Sequence, residues 1–544
     1  MSQEGTTQGD PLAMQFYALG TKPLISLLRQ RVQEVSQVWL ADDVTGAGSL
    51  VDLKRWWDLV IEEGEKLGYI VNEKKSWVIV KHPADLETAL SIFEGSEIRC
   101  TTAGQRHLGA AIGSTDFKVE YFTEKVETWC EEVRRLSEFA KSQPHAAFSA
   151  YIHGQQHKYR YFMRTIKDIS GCFKPLDDII NDTFLPTVLG FNIVNAAERE
   201  LLSLPIKKGG MGIDLLADIS DTEFDRSVEV TAPLAAIIAM QGEEMPSQEL
   251  VDNAKSRIRA QKVENCKAKT TRIDSEVESA TLRVIEQVRE PGASNWLSAL
   301  PLARHNLNLN KGEFHDACAL RYNKRISDLP SHCVCGESFT VTHAMNCKRG
   351  GFISARHDNI RDFEAALLSQ VCTDVEIEPQ LQSLSNEALP RSANTSAEAR
   401  LDVRTRGFWR RGQNSYFDIR VTNASAASQI NSTLTSILKK HETEKKREYN
   451  ARVMQVESGT FTPLVFTTVG SMGPETTLYH KAIAEKIAEK KGERYSEVIS
   501  YIRTILSSLS VKSALLCLRG SRSSGKKVDA EREDYTIMNH ELLG

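Results

Sequence analysis

Three groups of residues in this 544-residue chain are spaced so that they could do chemistry. The first is the adjacent pair Asp42-Asp43, which follows the apolar stretch Val35 to Leu40 and has the loop Gln8-Gly9-Asp10-Pro11 upstream. Two acids at the tip of a buried β-hairpin suit a divalent cation, because Mg²⁺ takes oxygen ligands and keeps room for phosphate oxygens. A bare Asp-Asp pair is more often a solvated turn, so the neighbouring motifs must decide. The second group is C-x-C-x7-H-x3-C: Cys333, Cys335, His343 and Cys347. Thiolate and imidazole are the ligands zinc prefers, and Gly336 allows the tight turn a knuckle needs. The gap between the first two thiols is shorter than usual, which leaves His332 open as a substitute ligand. Zinc bound there would fold an otherwise coreless segment. The third group is Asp402 and Asp418. Tyr416, Asp418 and Arg420 alternate with Phe417, Ile419 and Val421, the period of a strand. Both acids would then lie on neighbouring strands of one hairpin, joined by the Gly- and Arg-rich turn from Arg404 to Gln413.

The elements that must position these groups can be followed along the chain. The Gln8-Gly9 loop opens an apolar-periodic helix, and its small residues and backbone N–H groups suit a polynucleotide backbone. After Asp43 come an amphipathic helix with Trp56-Trp57, the stretch GYIVNEKKSWVIV, and IRCTTAGQRHLGAAIGS. Phe122, Val126, Trp129, Val133 and Leu136 recur at helical spacing, and LSLPIKKGGMGI at 202–213 is punctuated as a loop. A charged helical region follows to about 290, read as a solvated connector, and Pro291-Gly292 ends it. Arg356-His357-Asp358 opens a helix with Ile360, Phe363, Leu367 and Val371 on one face. Then come a strand-like VEIEPQL containing Glu378, the two Asp strands, a helix-prone KKHETEKKREYNAR, and the buried strand FTPLVFTTVGSMG. A last amphipathic helix should pack on that sheet, and the tail SRSSGKK is polar and basic.

Composition sets outer bounds. The length allows about three domains, and 41% hydrophobic with 26% charged residues is ordinary for a folded chain. A net charge of −4 argues against wholesale coating of nucleic acid but leaves room for local basic grooves. Ten scattered cysteines fit reduced thiols inside a cell. No unbroken apolar run of about 18 residues occurs, so no membrane span is expected, and the N-terminus carries no signal-peptide pattern.

The order of the first-quarter motifs resembles the second half of a reverse transcriptase palm. The QGDP loop, the acid hairpin Leu40-Ala41-Asp42-Asp43, the helix and lysines Lys74-Lys75, and the primer-grip turn Arg106-His107-Leu108-Gly109 occur in sequence. The later order of helix, strand, two Asp strands, helix and apolar strand resembles the PD-(D/E)XK, or restriction-endonuclease-like, fold. There two acids bind Mg²⁺ and a lysine positions or activates the attacking water. Leu401 stands where that pattern has Pro, and Arg420 stands at its lysine. An Arg does not give up its proton, so it cannot be the base. The expected lysine is Lys445, with Lys446 second. Together with the knuckle, the whole is similar to the C-terminal portion of polyproteins of site-specific non-LTR retrotransposons. In that family the nuclease nicks target DNA and the freed 3′-hydroxyl primes reverse transcription.

The resemblance implies Asp42 and Asp43 as polymerase Mg²⁺ ligands with Gln8, Gly9 and Lys74 in support. It implies Asp402, Asp418 and Lys445 at the nick site, supported by Glu378, Arg420, Lys446 and Tyr449, and Zn²⁺ on the knuckle. Arg404, Arg406, Arg410 and Arg411 are the expected phosphate contacts, making binding fall with salt. The expected fold is α+β and α/β multidomain: a partial palm (1–115), a helical thumb (116–213), a helical linker (214–330), the knuckle (331–350), the restriction-endonuclease-like domain (351–530) and a tail (531–544). Family polymerases carry one more Asp upstream of the QGDP loop. The chain starts on that motif, so the polymerase half is expected to be truncated and inactive alone. Expected partners are DNA and RNA, with dNTP if the polymerase were completed, in a nuclear setting. The alternative is a catalytically dead or co-opted nucleic-acid-binding remnant.

Overall fold

The computed structural model describes residues 10–242 and 244–522, so Gln8, Gly9 and the 531–544 tail lie outside the described residues. Helix and sheet are mixed, as the composition and patterning imply. The chain falls into two compact units. The first runs through Cys130 and takes in Lys158–Asp177 and Leu216–Asn265; the second holds Glu131–His157, Asp178–Leu215 and everything from Cys266 on. The boundaries drawn from sequence at 116–213 and 214–330 do not coincide with these units, because helices from both segments enter each.

In the first unit, α1 (Ala13–Arg31) leads to the antiparallel hairpin of β1 (Ser36–Leu40) and β2 (Asp43–Ala47). Ser49 caps α2 (Leu50–Glu65) by accepting from the Asp52 N–H at 3.2 Å. The tryptophans part company: Trp56 packs with Leu24, Leu28 and Val35, and Trp57 with Val78, Ala89 and Phe93. Gly46 is required where it stands, since a Cβ there would lie 2.9 Å from the Trp56 ring. Further on, β3 (Trp77–Ile79) pairs with β4 (Arg99–Thr101) in parallel. A second hairpin joins β5 (Gly104–His107) and β6 (Ala110–Gly113) through Leu108-Gly109, both at positive φ, as a tight two-residue turn demands.

The second unit is built on a four-stranded sheet. Helix α3 (Ser279–Val288) precedes it, and the knuckle helix α4 (Val341–Asn346) and the long α5 (Phe352–Val371) lead into β7 (Thr373–Ile377). Next come β8 (Val403–Arg406), β9 (Asn414–Thr422), α6 (Leu434–Gln455) and β10 (Thr460–Thr467). Two helices close the chain, α7 (Pro474–Lys491) and α8 (Tyr495–Arg519). Strand order is β10-β9-β8-β7, with β10 parallel to β9 and the other pairs antiparallel.

Alternation along β9 sorts its side chains between two layers. Phe417 and Ile419 join Ile360, Phe363, Leu367, Tyr479, Ile483 and Ile502 from α5, α7 and α8. Tyr416 joins Tyr449, Val453 and Phe461, on the side covered by α6. Asp418, two residues from Tyr416, therefore faces α6. Helix α8 is long and apolar enough to cross a membrane by length and composition alone, although no unbroken apolar run marks it in the sequence. Its residues Ile502, Leu506 and Leu509 are buried in the core beside the sheet.

Candidate metal centres

The Cys3His group has the most complete geometry of the candidate centres. Among the described residues it is the one set of three or more potential ligand side chains whose atoms lie within 4.8 Å of one another. A turn carries Cys333 and Cys335: the Gly336 N–H donates to the Cys333 carbonyl at 2.9 Å, and Gly336 has φ +93°. Thr340 caps α4 by accepting from the His343 N–H at 3.0 Å, which fixes His343 one turn before Cys347. The Sγ atoms of Cys333 and Cys347 are 3.7 Å apart, and Cys335 Sγ lies 3.4 Å from His343 Nε2. Two thiolates about 2.3 Å from a tetrahedral zinc stand about 3.8 Å apart, so the observed edge fits the ion. A disulfide would need about 2.05 Å. Cys333 and Cys335 fall in the same set despite the short spacing between them. His332 lies outside the set of ligand atoms that come together, its Nδ1 3.1 Å from Ser331 Oγ.

The acid pair of the second unit is held differently. Asp402 stands one residue before β8, level with Asp418. Its N–H donates to the Phe417 carbonyl at 3.1 Å, while its Oδ2 accepts from the Ile419 N–H. The two bonds bracket Asp418, and the Asp402 carboxylate takes the place of a backbone acceptor in the ladder. The same Oδ2 meets His357 Nε2 at 3.2 Å. Lys445 Nζ lies 2.7 Å from Asp418 Oδ2, an ion pair whose angles are not those of an aligned hydrogen bond. Burial holds the Asp418 carboxyl well above the ordinary carboxylate range, with Lys445 opposing and Asp402 adding to the rise. Burial works against charge on His357, but Asp402 and Asp358 outweigh it and push the imidazole up to about 9. Two acids and two cations thus neutralise one another at the end of the sheet.

The supporting residues divide. Tyr449 is buried one turn after Lys445, its ring 5.5 Å under the ammonium, and its hydroxyl accepts from Asn394 Nδ2 at 3.2 Å. Lys446, the second choice for the nick-site lysine, turns instead to Glu475 at 2.7 Å. Arg420 pairs with Glu444 at 3.0 Å rather than with the acids. Glu378 contributes backbone, its N–H donating to the Asp402 carbonyl at 2.9 Å. Its carboxylate goes to Arg361 at 2.5 Å, and Arg361 also holds Asp358 at 3.0 Å and Asp362 at 2.9 Å. Of the four arginines on the turn, Arg404 is paired with Glu376 at 2.7 Å, while Arg406, Arg410 and Arg411 are exposed. Those three lie at the far end of the hairpin, roughly 13 Å along the strand from Asp402 at about 3.3 Å per residue.

Sequence reasoning passed over His357 and Arg361 as site residues. The run Arg356-His357-Asp358 at a helix start was visible, but nothing in sequence ties it to an acid 45 positions later.

In the first unit, Asp42 and Asp43 occupy the β1–β2 turn, where Ala41 takes the left-handed φ of +55° usually left to glycine. Both acids are exposed, and so are Val38 and Leu40, so the hairpin is less buried than expected. Tyr69 Oη donates to the Asp42 carbonyl at 3.0 Å. Burial, with Tyr17, Asp42 and Asp43 adding, pushes the Tyr69 hydroxyl up to about 12. The second hairpin reaches the first through Thr45 Oγ1 and His107 Nε2 at 3.4 Å. Lys74 pairs with Glu97 at 3.3 Å on the surface.

Compared with known proteins, the chain matches no family model and no curated protein.

Proposed function

We propose that the second unit is a Mg²⁺-dependent nuclease that nicks DNA, with Asp402 and Asp418 as the cation ligands and Lys445 beside them. The observation that carries this reading is the arrangement of three side chains: Asp402 bonded to the backbone on both sides of Asp418, and Lys445 Nζ 2.7 Å from the Asp418 carboxylate. Among the described residues Asp402 Oδ1 has no hydrogen bond, which leaves that oxygen for a cation. A bound divalent ion polarises a phosphoryl oxygen and acidifies a water ligand. The chain's own part is to hold the two carboxylates level and to keep an ammonium charge near the phosphate. Zn²⁺ on Cys333, Cys335, His343 and Cys347 is structural, since four protein ligands leave no open position.

On this reading the protein is the C-terminal part of a non-LTR retrotransposon polyprotein that acts on DNA and RNA in the nucleus. Its nuclease would supply the primer end for reverse transcription. Asp42 and Asp43 hold a cation only weakly by themselves, because both are exposed at a two-residue turn, whereas the Asp402 carboxylate is fixed by the Ile419 N–H. Primer extension by this chain alone is therefore expected to be absent, and extension on a primed RNA template would contradict it.

The test is Mg²⁺-dependent conversion of supercoiled plasmid to open circles by the full chain. Asp402→Asn and Asp418→Asn should fall to background. Nicking at the wild-type rate by both variants removes the site.

The second reading, a nucleic-acid-binding protein without chemistry, draws on Arg420, which turns to Glu444, and on the lack of a third compact ligand beside the acid pair. DNA binding that persists with no nicking under Mg²⁺ or Mn²⁺ selects it.

A further inference from the structure

The zinc knuckle and the acid pair meet at two consecutive residues. Arg356, 3% exposed, sits in the second turn of α5 and donates through Nη1 to the Met345 carbonyl at 3.2 Å. Met345 belongs to α4, two residues before the ligand Cys347. The other contact of that nitrogen is the Cys517 thiol at 3.9 Å, and Arg356 Nε has no partner among the described residues. A buried guanidinium with so few acceptors depends on each of them. The next residue, His357, meets Asp402 Oδ2 at 3.2 Å. Ala344, Met345 and Phe352 share one buried cluster with Cys517 and Leu518 of α8, so α4 and the start of α5 pack as one body. Arg522 strengthens that joint, donating to the Ala344 carbonyl at 3.3 Å with its guanidinium 5.2 Å over the Phe352 ring.

Segments this short take their fold from the metal they wrap. The place of the Met345 carbonyl is then set by the occupied knuckle, and Arg356 passes that placement to the first turns of α5. We infer that His357 is a positioning residue for Asp402 and that the Cys3His knuckle, through Met345 and Arg356, sets the alignment of the acid pair. The knuckle is in this sense part of the nuclease site. This rests on the nuclease reading of the acid pair.

The experiment measures Mn²⁺ affinity by calorimetry and bound zinc by elemental analysis on the full chain. A background of Asp42→Asn with Asp43→Asn confines the manganese signal to the second unit. Loss of a residue that orients a ligand typically weakens metal binding about 10- to 100-fold. His357→Ala should weaken Mn²⁺ by that factor with zinc content unchanged. His357→Gln, whose amide nitrogen falls near the Nε2 position, should recover most of it. Arg356→Met should match His357→Ala, again with one zinc retained. Cys347→Ser should lose zinc and weaken Mn²⁺ by a similar factor, and combining it with His357→Ala should add little, as expected within one chain of contacts. Should Cys347→Ser unfold, the Arg356→Met arm decides. Unchanged Mn²⁺ affinity in Arg356→Met and His357→Ala, while Asp402→Asn still abolishes binding, overturns this inference and leaves the nuclease reading standing. No Mn²⁺ binding by the background protein itself overturns both.

Discussion

At Asp402 one carboxylate oxygen serves the sheet and the site together. Oδ2 closes the ladder by accepting from Ile419 and also receives His357, so removing it should loosen β8 against β9 as well as the cation. Asp402→Asn keeps a carbonyl for the Ile419 N–H, and its loss of activity should exceed its loss of stability. Lys445→Met separates charge from packing, because Met keeps most of the stem over Tyr449. Its nicking rate should fall about 10²- to 10³-fold, the usual cost of removing one charge-stabilising donor. A drop under threefold at saturating Mg²⁺ would show that the ammonium takes no part. The choice between Lys445 and Lys446 was open to sequence reasoning for a physical reason. Neighbours on a helix point about 100° apart, and Lys445 shares its face with Tyr449 and Val453, which belong to the buried cluster under α6. Arg420 and Glu378 were not legible in the same way. Their partners, Glu444 and Arg361, come from other elements, and the pairing depends on how those elements dock.

Elements were more readable than contacts. The alternation over β9 placed Asp418 on a strand, and the order of helix, strand, two acid strands, helix and apolar strand emerged as α5, β7, β8, β9, α6 and β10. The knuckle turn was readable from Gly336, whose N–H closes on the Cys333 carbonyl, but how closely the four ligand atoms approach was not, because His343 and Cys347 come from a separate helix end. Mild treatment with a zinc-selective chelator should release one Zn²⁺ per chain and lower the thermal midpoint of the second unit. An unchanged midpoint would mean that the cluster around Met345 and Phe352 holds the segment without metal.

The helix Pro144–Ala150 carries a different, pH-linked expectation. His145 is buried, stacks on Phe314 at 4.7 Å, and accepts from the Leu309 N–H at 3.2 Å. Burial, with Lys512 adding, holds its imidazole down at about 4. An unfolded histidine titrates near pH 6.5. Below that pH the unfolded chain takes a proton that the folded one refuses. The stabilisation is therefore complete above about pH 6.5 and is lost as pH falls toward 4, by at most about 3 kcal/mol. Urea unfolding of the full chain and of His145→Asn at pH 7 and 4.5 checks it. The variant should lose less stability between the two, and equal losses would contradict the assignment.

On the scale of the whole molecule, the packing around the four-stranded sheet of the second unit does not begin at the knuckle. Arg283 on α3 donates to the Ala424 carbonyl at 3.0 Å and the Ser432 carbonyl at 3.2 Å, and also reaches Gln429 and Ile430. Ser471 Oγ donates to the Gln287 carbonyl at 2.8 Å, and the Trp296 N–H to Ser507 Oγ at 2.7 Å. Arg283 and Gln287, read from sequence as part of a solvated connector, thus brace the loop after β9 and the turn after β10. Composition misled there because a charged helix can spend one arginine on buried carbonyls while its other face stays wet. Arg283→Ala should destabilise the second unit by about 2–3 kcal/mol, since hydrogen bonds from a charged donor are lost together. A thermal midpoint within a degree of wild type would count against the brace.

A cation shared by Asp402 and Asp418 is tested most directly by an anomalous difference map from crystals of the full chain soaked in Mn²⁺. The expected map has a peak about 2 Å from a carboxylate oxygen of both Asp402 and Asp418, with the Lys445 ammonium moved off Asp418. Manganese bound elsewhere, with Lys445 still paired to Asp418 and no density between the two acids, would contradict it.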